Sequence, residues 1–176
     1  MIVLDATAFM LLVHPDAKPP NDPQTQAPVS QVRERFEFLE QEIQRLGETI
    51  LIPAPALAEV LVGLGDAGPS AIDRLNRSSR FKIADFDTMA AVELAAMTRE
   101  AIRAGDKKSG SSSPWQKVKI DRQIVAIART RGASTIYSDD EGLAKFATHL
   151  GMKVVPAWAM PLPPTDAQQQ LFDDQA

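Results

Sequence analysis

Five carboxylates in this chain stand among residues that build cores. Asp5 follows Ile2-Val3-Leu4, Glu59 lies between Ala58 and Val60, Asp121 follows Ile120, and Asp139-Asp140 come just after Ile136-Tyr137-Ser138. Charges embedded in apolar sequence are rare unless they are paired or bound to an ion. No basic residue adjoins Asp5 or Glu59 to neutralise it locally. Two carboxylates about 4 Å apart repel by roughly 4 kcal/mol at an effective dielectric of about 20, and a divalent cation removes that cost. The chain has no cysteine, and only His14 and His149 carry imidazole, so such an ion would be held mostly by oxygen. Oxygen ligation selects Mg²⁺ or Mn²⁺ over zinc or copper. An ion of that kind acidifies a bound water, orients it for in-line attack on a phosphate ester and neutralises the phosphoryl oxygens. Each acid also has a plainer use: Asp121 and Asp139 as helix caps or solvated residues, Glu59 as an exposed helix position. Asp5 fits those uses least, because it interrupts an apolar run. The two histidines read as surface residues outside any metal-ligand spacing.

The elements that must position these acids follow from periodicity. Short β-branched runs at Ile2–Leu4, Thr49–Ile52, Phe81–Ile83, Thr135–Tyr137 and Lys153–Val155 predict strands. Between them, spacing by three and four predicts helices at 6–12, 29–46, 53–64, 70–77, 89–104, 118–131 and 141–150. Asp85 or Asp87 would cap the fifth of these, and Asp121 would open the sixth. Strands alternating with helices, without a hairpin signal, predict a mostly parallel sheet wrapped by helices, an α/β fold. In such sheets the functional crevice lies beyond the carboxyl ends of the strands, which is where the acids fall. Residues 14–28, with five prolines, read as a surface insertion, and 105–116 as a polar, mobile basic loop. The expected domain spans 1–156, with 157–176 a tail that has no core role beyond a short helix at 166–172.

Charge and length narrow the function classes. A chain of 176 residues is one domain, with 19 basic and 23 acidic side chains giving a net charge of −4. That balance excludes a protein that coats nucleic acid by bulk charge. The charge is unevenly spread, however. Residues 99–131 carry nine basic and three acidic side chains, leaving ten net negative charges elsewhere. Lys117, Lys119 and Arg122 are therefore candidates to guide a phosphate backbone towards the acids, and Trp115 either stacks on a base or anchors the loop. The opening apolar run lacks a basic leader and contains Asp5, so it reads as strand and helix rather than a signal peptide. With no long apolar stretch, a cytoplasmic protein is expected.

Four segments, IVLDATAFMLL, PAPALAEVLVG, KIDRQIVAIARTRGA and TIYSDDEGLAKFA, together resemble the PIN-domain nucleases, and among them the VapC-type toxins of toxin–antitoxin pairs. The resemblance spans residues 2–155. It implies a three-layer PIN-like fold with a central, mostly parallel sheet. It also implies a Mg²⁺- or Mn²⁺-dependent endoribonuclease with Asp5, Asp121 and Asp140 as metal ligands and Glu59 completing the acidic pocket. The family's Thr/Ser-x-Asp pattern maps onto Ser138-Asp139-Asp140; loop length leaves Asp139 a candidate beside Asp140. Thr7 and Ser138 would help place substrate or a ligand. The resemblance further implies an RNA substrate, a homodimer and an antitoxin that plugs the pocket, although the insertion, loop and tail make this chain longer than a compact toxin. Two rivals follow from the same residues. One is a PIN-like module that grips RNA or a partner without cutting. The other is a haloacid-dehalogenase-type phosphatase, disfavoured because Thr7 stands where its second acid would be.

Overall fold

The computed structural model describes residues 1–14 and 16–164. Five strands form one parallel sheet: β1 (Ile2–Leu4), β2 (Ile50–Pro53), β3 (Phe81–Ala84), β4 (Thr135–Tyr137) and β5 (Lys153–Val155). Their spatial order is β3-β2-β1-β4-β5, with Ile2 in register with Ile50 on one side and Thr135 on the other. The chain steps outward from β1 to β3, then crosses back to β4 beside β1. The order therefore reverses between β1 and β4, which is the crevice that open parallel sheets use for ligands.

Among the described residues, seven helices cover the sheet: α1 (Ala6–Val13), α2 (Val32–Arg45), α3 (Ala54–Leu64), α4 (Gly68–Arg77), α5 (Thr88–Arg103), α6 (Trp115–Thr130) and α7 (Glu141–His149). The pleat sorts strand residues to opposite faces. Ile2, Leu4, Ile50 and Ile52 meet Phe9, Phe36, Val60 and Leu75 on one face; Val3, Leu51 and Ile136 meet Met97, Ile124, Ile127 and Phe146 on the other. These two cores with the sheet between them make the expected three layers, and among the described residues no helix is long and apolar enough to cross a membrane.

Three expectations need correction. The sixth helix begins at Trp115 rather than Val118, because Pro114 serves as its cap and the first turn, Trp115-Gln116-Lys117, carries no apolar spacing. Asp121 consequently lies well inside α6 rather than at its start. The packed body also continues past residue 156: a 3₁₀ turn at Ala157–Ala159 is followed by Met160, and Ala157 and Met160 are buried against the α2 side of the core. Arg35 of α2 donates a hydrogen bond to the Met160 carbonyl. The expected helix at 166–172 lies outside the described residues. The Pro-rich stretch does run over the surface as turns, with a single bridge between Asn21 and Pro28, and Asp87 rather than Asp85 caps α5.

Candidate acidic site at the sheet's switch point

Asp5 is the residue at which β1 becomes α1. Its backbone N–H bonds to the Tyr137 carbonyl 3.1 Å away, extending the β1–β4 pairing one residue beyond the strand. Its Oδ1 accepts the Ala8 N–H at 2.8 Å as the helix N-cap. Its Oδ2 accepts the Ser138 hydroxyl, whose own oxygen accepts the Asp140 N–H at 3.1 Å. Ser138 thus joins the ends of the two central strands. Asp5 is 4% exposed, and burial pushes its pKa up to about 6; the Ser138 and Ala8 hydrogen bonds oppose this, while Asp139 and Asp140 add to it.

The other acids approach from helices. Asp140 caps α7, its Oδ1 accepting the Leu143 N–H at 2.8 Å, while Oδ2 pairs with Lys117 Nζ at 2.6 Å. Burial alone would raise Asp140, but the Lys117 and Leu143 bonds win and hold it below the usual carboxylate range. Asp121, 8% exposed on α6, stands 3.5 Å from the same ammonium one turn away. Burial raises Asp121 to about 6; Lys117 pulls against this, and the charges of Asp140 and Glu59 reinforce it. Lys117 itself loses by burial but is raised overall by its two carboxylate partners. Glu59 is exposed on α3 and lines a cleft of about 280 Å³ with Thr7, Met10 and Lys18.

The predicted residues thus divide into groups. Asp5, Ser138, Asp140, Lys117, Asp121 and Glu59 form one neighbourhood linked by bonds or mutual charge, and Thr7 is exposed on its Glu59 side. Asp139 faces elsewhere: its Oδ1 accepts the Ala157 N–H at 2.9 Å and pins the 3₁₀ turn, leaving Oδ2 buried without a partner. Burial raises its pKa. Lys119 is exposed. Arg122 departs most from expectation. It is 1% exposed, and its guanidinium donates to the Lys107 carbonyl at 2.7 Å and the Ser109 hydroxyl at 3.0 Å. It also lies 4.6 Å from the Phe146 ring and 5.5 Å from the Trp115 ring. A side chain so enclosed staples the 105–114 loop instead of meeting a phosphate, and Trp115, with Lys107 Nζ at 4.2 Å over its ring, anchors that loop. His149 is exposed, and His14 spends Nδ1 on the Asp16 N–H.

Lys18 was missed. Its only sequence signal was a lone cation in the Pro-rich insertion, with nothing to tie it to Glu59. A concavity of about 570 Å³ between α1, α2 and the insertion is lined by residues such as Leu12, Phe36 and Glu37 and contains none of the candidate acids.

The donor set suits a hard divalent cation. It is all oxygen, and burial, reinforced by repulsion from neighbouring carboxylates, raises the pKa of Asp5 and of Asp121 to about 6, a cost that a cation would relieve. As placed, no three carboxylates or imidazoles among the described residues enclose a metal by themselves. An ion here would draw on Asp121, Asp140 Oδ2 and Glu59 with water filling the rest of its shell, a normal arrangement for Mg²⁺.

A parallel three-layer α/β domain with carboxylates converging at its switch point is the class that fold and site define. The PIN domain family model matches residues 29–148, and the chain belongs to that family. The match contains Glu59, Asp121, Asp139 and Asp140 but begins after Asp5, which the insertion separates from it. No curated protein matches significantly. Among solved structures, the chain is similar to VapBC2 from Rickettsia felis bound to a DNA fragment from their promoter, at 18% identity and a TM-score of 0.54 over 89% of this chain and 98% of that one. It is also similar to DNA-bound VapBC from Salmonella typhimurium, at 16% identity and 0.53 over 89% and 97%. The sarcin–ricin-loop-cleaving toxin VapC20 of Mycobacterium tuberculosis gives 13% identity and 0.52 over 92% and 100%. At these identities the likeness shows the shared fold.

Proposed function

We propose that this chain is a Mg²⁺- or Mn²⁺-dependent endoribonuclease acting through Asp5, Glu59, Asp121 and Asp140. The observation that carries the reading is the juxtaposition, at the switch between β1 and β4, of buried carboxylates whose pKa is raised to about 6. Membership of the PIN family supports it. Asp121, Asp140 and Glu59 would hold the ion, which supplies an acidified water and charge neutralisation on the phosphoryl oxygens. Asp5 would act mainly from behind them: both of its oxygens are bonded, and its negative charge adds to the field that draws a cation in. Ser138 fixes Asp5 and the Asp140 backbone together, so the two central strands deliver their acids in one geometry. Lys119 and Lys18, exposed on the flanks, would meet the RNA backbone, with Thr7 beside Glu59 at the floor of the cleft.

By similarity with the VapBC assemblies, the partner would be a small antitoxin, and we extend the reading to a cytoplasmic, homodimeric toxin. The test is RNA cleavage in Mn²⁺ by the wild type, Asp5→Asn and Asp121→Asn. Loss of cleavage in both variants, with unchanged circular dichroism, supports the enzyme. RNA binding that persists in EDTA, with no products in Mn²⁺ from the wild type, replaces it with a non-cutting RNA-binding module.

A further inference from the structure

A protein cation already sits where the proposed ion would go. Lys117 Nζ lies 2.6 Å from Asp140 Oδ2 and 3.5 Å from Asp121 Oδ1, bridging acids carried by two different helices. Several neighbouring oxygens already accept a hydrogen bond: both of Asp5, from Ala8 and Ser138, and Asp140 Oδ1, in the cap of α7. A divalent ion therefore meets Lys117 in competition for one atom, Asp140 Oδ2, and for the Asp121 carboxylate beside it. The lysine is built to give way: its side chain is 46% exposed and sits in the second position after the α6 start, at the open rim.

Resting on the metal-site reading above, we propose that Lys117 is an internal competitor for the divalent ion, holding Asp121 and Asp140 until metal displaces it. Once released, its ammonium is free to meet the phosphate of a bound strand at the same mouth. Metal binding and RNA binding then reinforce each other, because each favours the swung-out lysine, and the coupling is reciprocal.

The test uses the whole chain and Mn²⁺ alone, with the free ion followed by electron paramagnetic resonance. Lys117→Met and Lys117→Gln should each bind Mn²⁺ about two- to fivefold more tightly than the wild type, the size of a partly exposed ion pair. Lys117→Arg keeps the charge and should stay near the wild type. Lys153→Met, which removes an exposed charge at the opposite end of the sheet, controls for net charge and should also stay near it. Unchanged or weaker Mn²⁺ binding in both neutral variants, with the wild type binding, overturns the competitor and leaves the metal site standing. No Mn²⁺ binding by any of the proteins overturns the metal reading itself. In a second arm, Mn²⁺ should raise wild-type affinity for a 2′-O-methyl RNA oligonucleotide more than it raises that of Lys117→Met; an equal rise overturns the release of Lys117 to the phosphate.

Discussion

Asp5→Asn should stabilise the metal-free protein above pH 6. Asp5 is 4% exposed, and its pKa rises from 3.8 to about 6 chiefly through burial. At about 1.4 kcal/mol per pKa unit, a carboxylate ionised at pH 8 in that position costs the fold about 3 kcal/mol. The folded state holds the proton more tightly than the unfolded chain does. The cost is therefore absent below about pH 4, grows as pH rises, and is complete above about pH 6. Asparagine preserves the shape, ranks with Asp as an N-cap and keeps an oxygen for the Ala8 N–H, while the Ser138 oxygen can accept from the new amide. Imperfect replacement of those bonds returns part of the difference, so the net stabilisation expected at pH 8 is about 1–3 kcal/mol, or about 3–8 °C for a domain of this size. The assay is thermal denaturation in EDTA at pH 4 and pH 8. A variant that melts below the wild type at pH 8, or one with equal shifts at both pH values, refutes the burial argument. Saturating Mn²⁺ should narrow the gap by stabilising the wild type more.

Four further outcomes follow. Asp139→Asn should leave cleavage near wild type and should not destabilise the fold at pH 8, because Oδ1 still holds the Ala157 N–H and a carboxyl whose pKa burial raises is replaced by a neutral amide. Asp140→Asn should lower cleavage by about a hundredfold or more in the same RNA assay. Ser138→Ala strips Asp5 Oδ2 of its donor, which should cost about 1–3 kcal/mol at pH 8 and, because that bond lowers the Asp5 pKa, move the acid limb of the cleavage–pH profile upward. Arg122→Met, which keeps bulk but loses the bonds to Lys107 and Ser109, should cost about 2–4 kcal/mol and expose residues 106–113 to limited proteolysis before global unfolding; an unchanged digestion pattern would refute the staple.

The layers and the site were legible to different depths. Strand and helix periods show in the sequence because burial on one face repeats at 2.0 or 3.6, so every strand and helix among the described residues matches an expected one within a few residues. Boundaries drift where the first turn lacks apolar spacing, as in the Trp115–Lys117 stretch of α6. Ala157 and Met160 escaped notice for a related reason: isolated apolar residues between prolines have no period, and only their packing under α2 reveals them. Gathering Asp5, Asp139 and Asp140 needed only the rule that strand ends meet at one edge, whereas Glu59 and Asp121 reach the site from within α3 and α6. Orientation was harder. Asp139 and Asp140 are neighbours, and only the Ala157 N–H on one side and the Lys117 ammonium on the other tell them apart. Arg122 resembled its basic neighbours because its burial depends on Phe146 and the Lys107 carbonyl, which are distant in the chain.

Position in the sheet gives the site one fixed jaw and one adjustable jaw. Asp5 and Ser138 are tied to β1 and β4, central strands bonded on both edges. Amides in such strands open only when the whole domain does, so this half should exchange hydrogen last. Glu59, Lys117 and Lys18 ride on helix surfaces and the Pro-rich insertion, where side chains change at little expense to the fold. Substrate preference can thus drift along the outer half of the mouth over evolutionary time while the inner anchor stays constant.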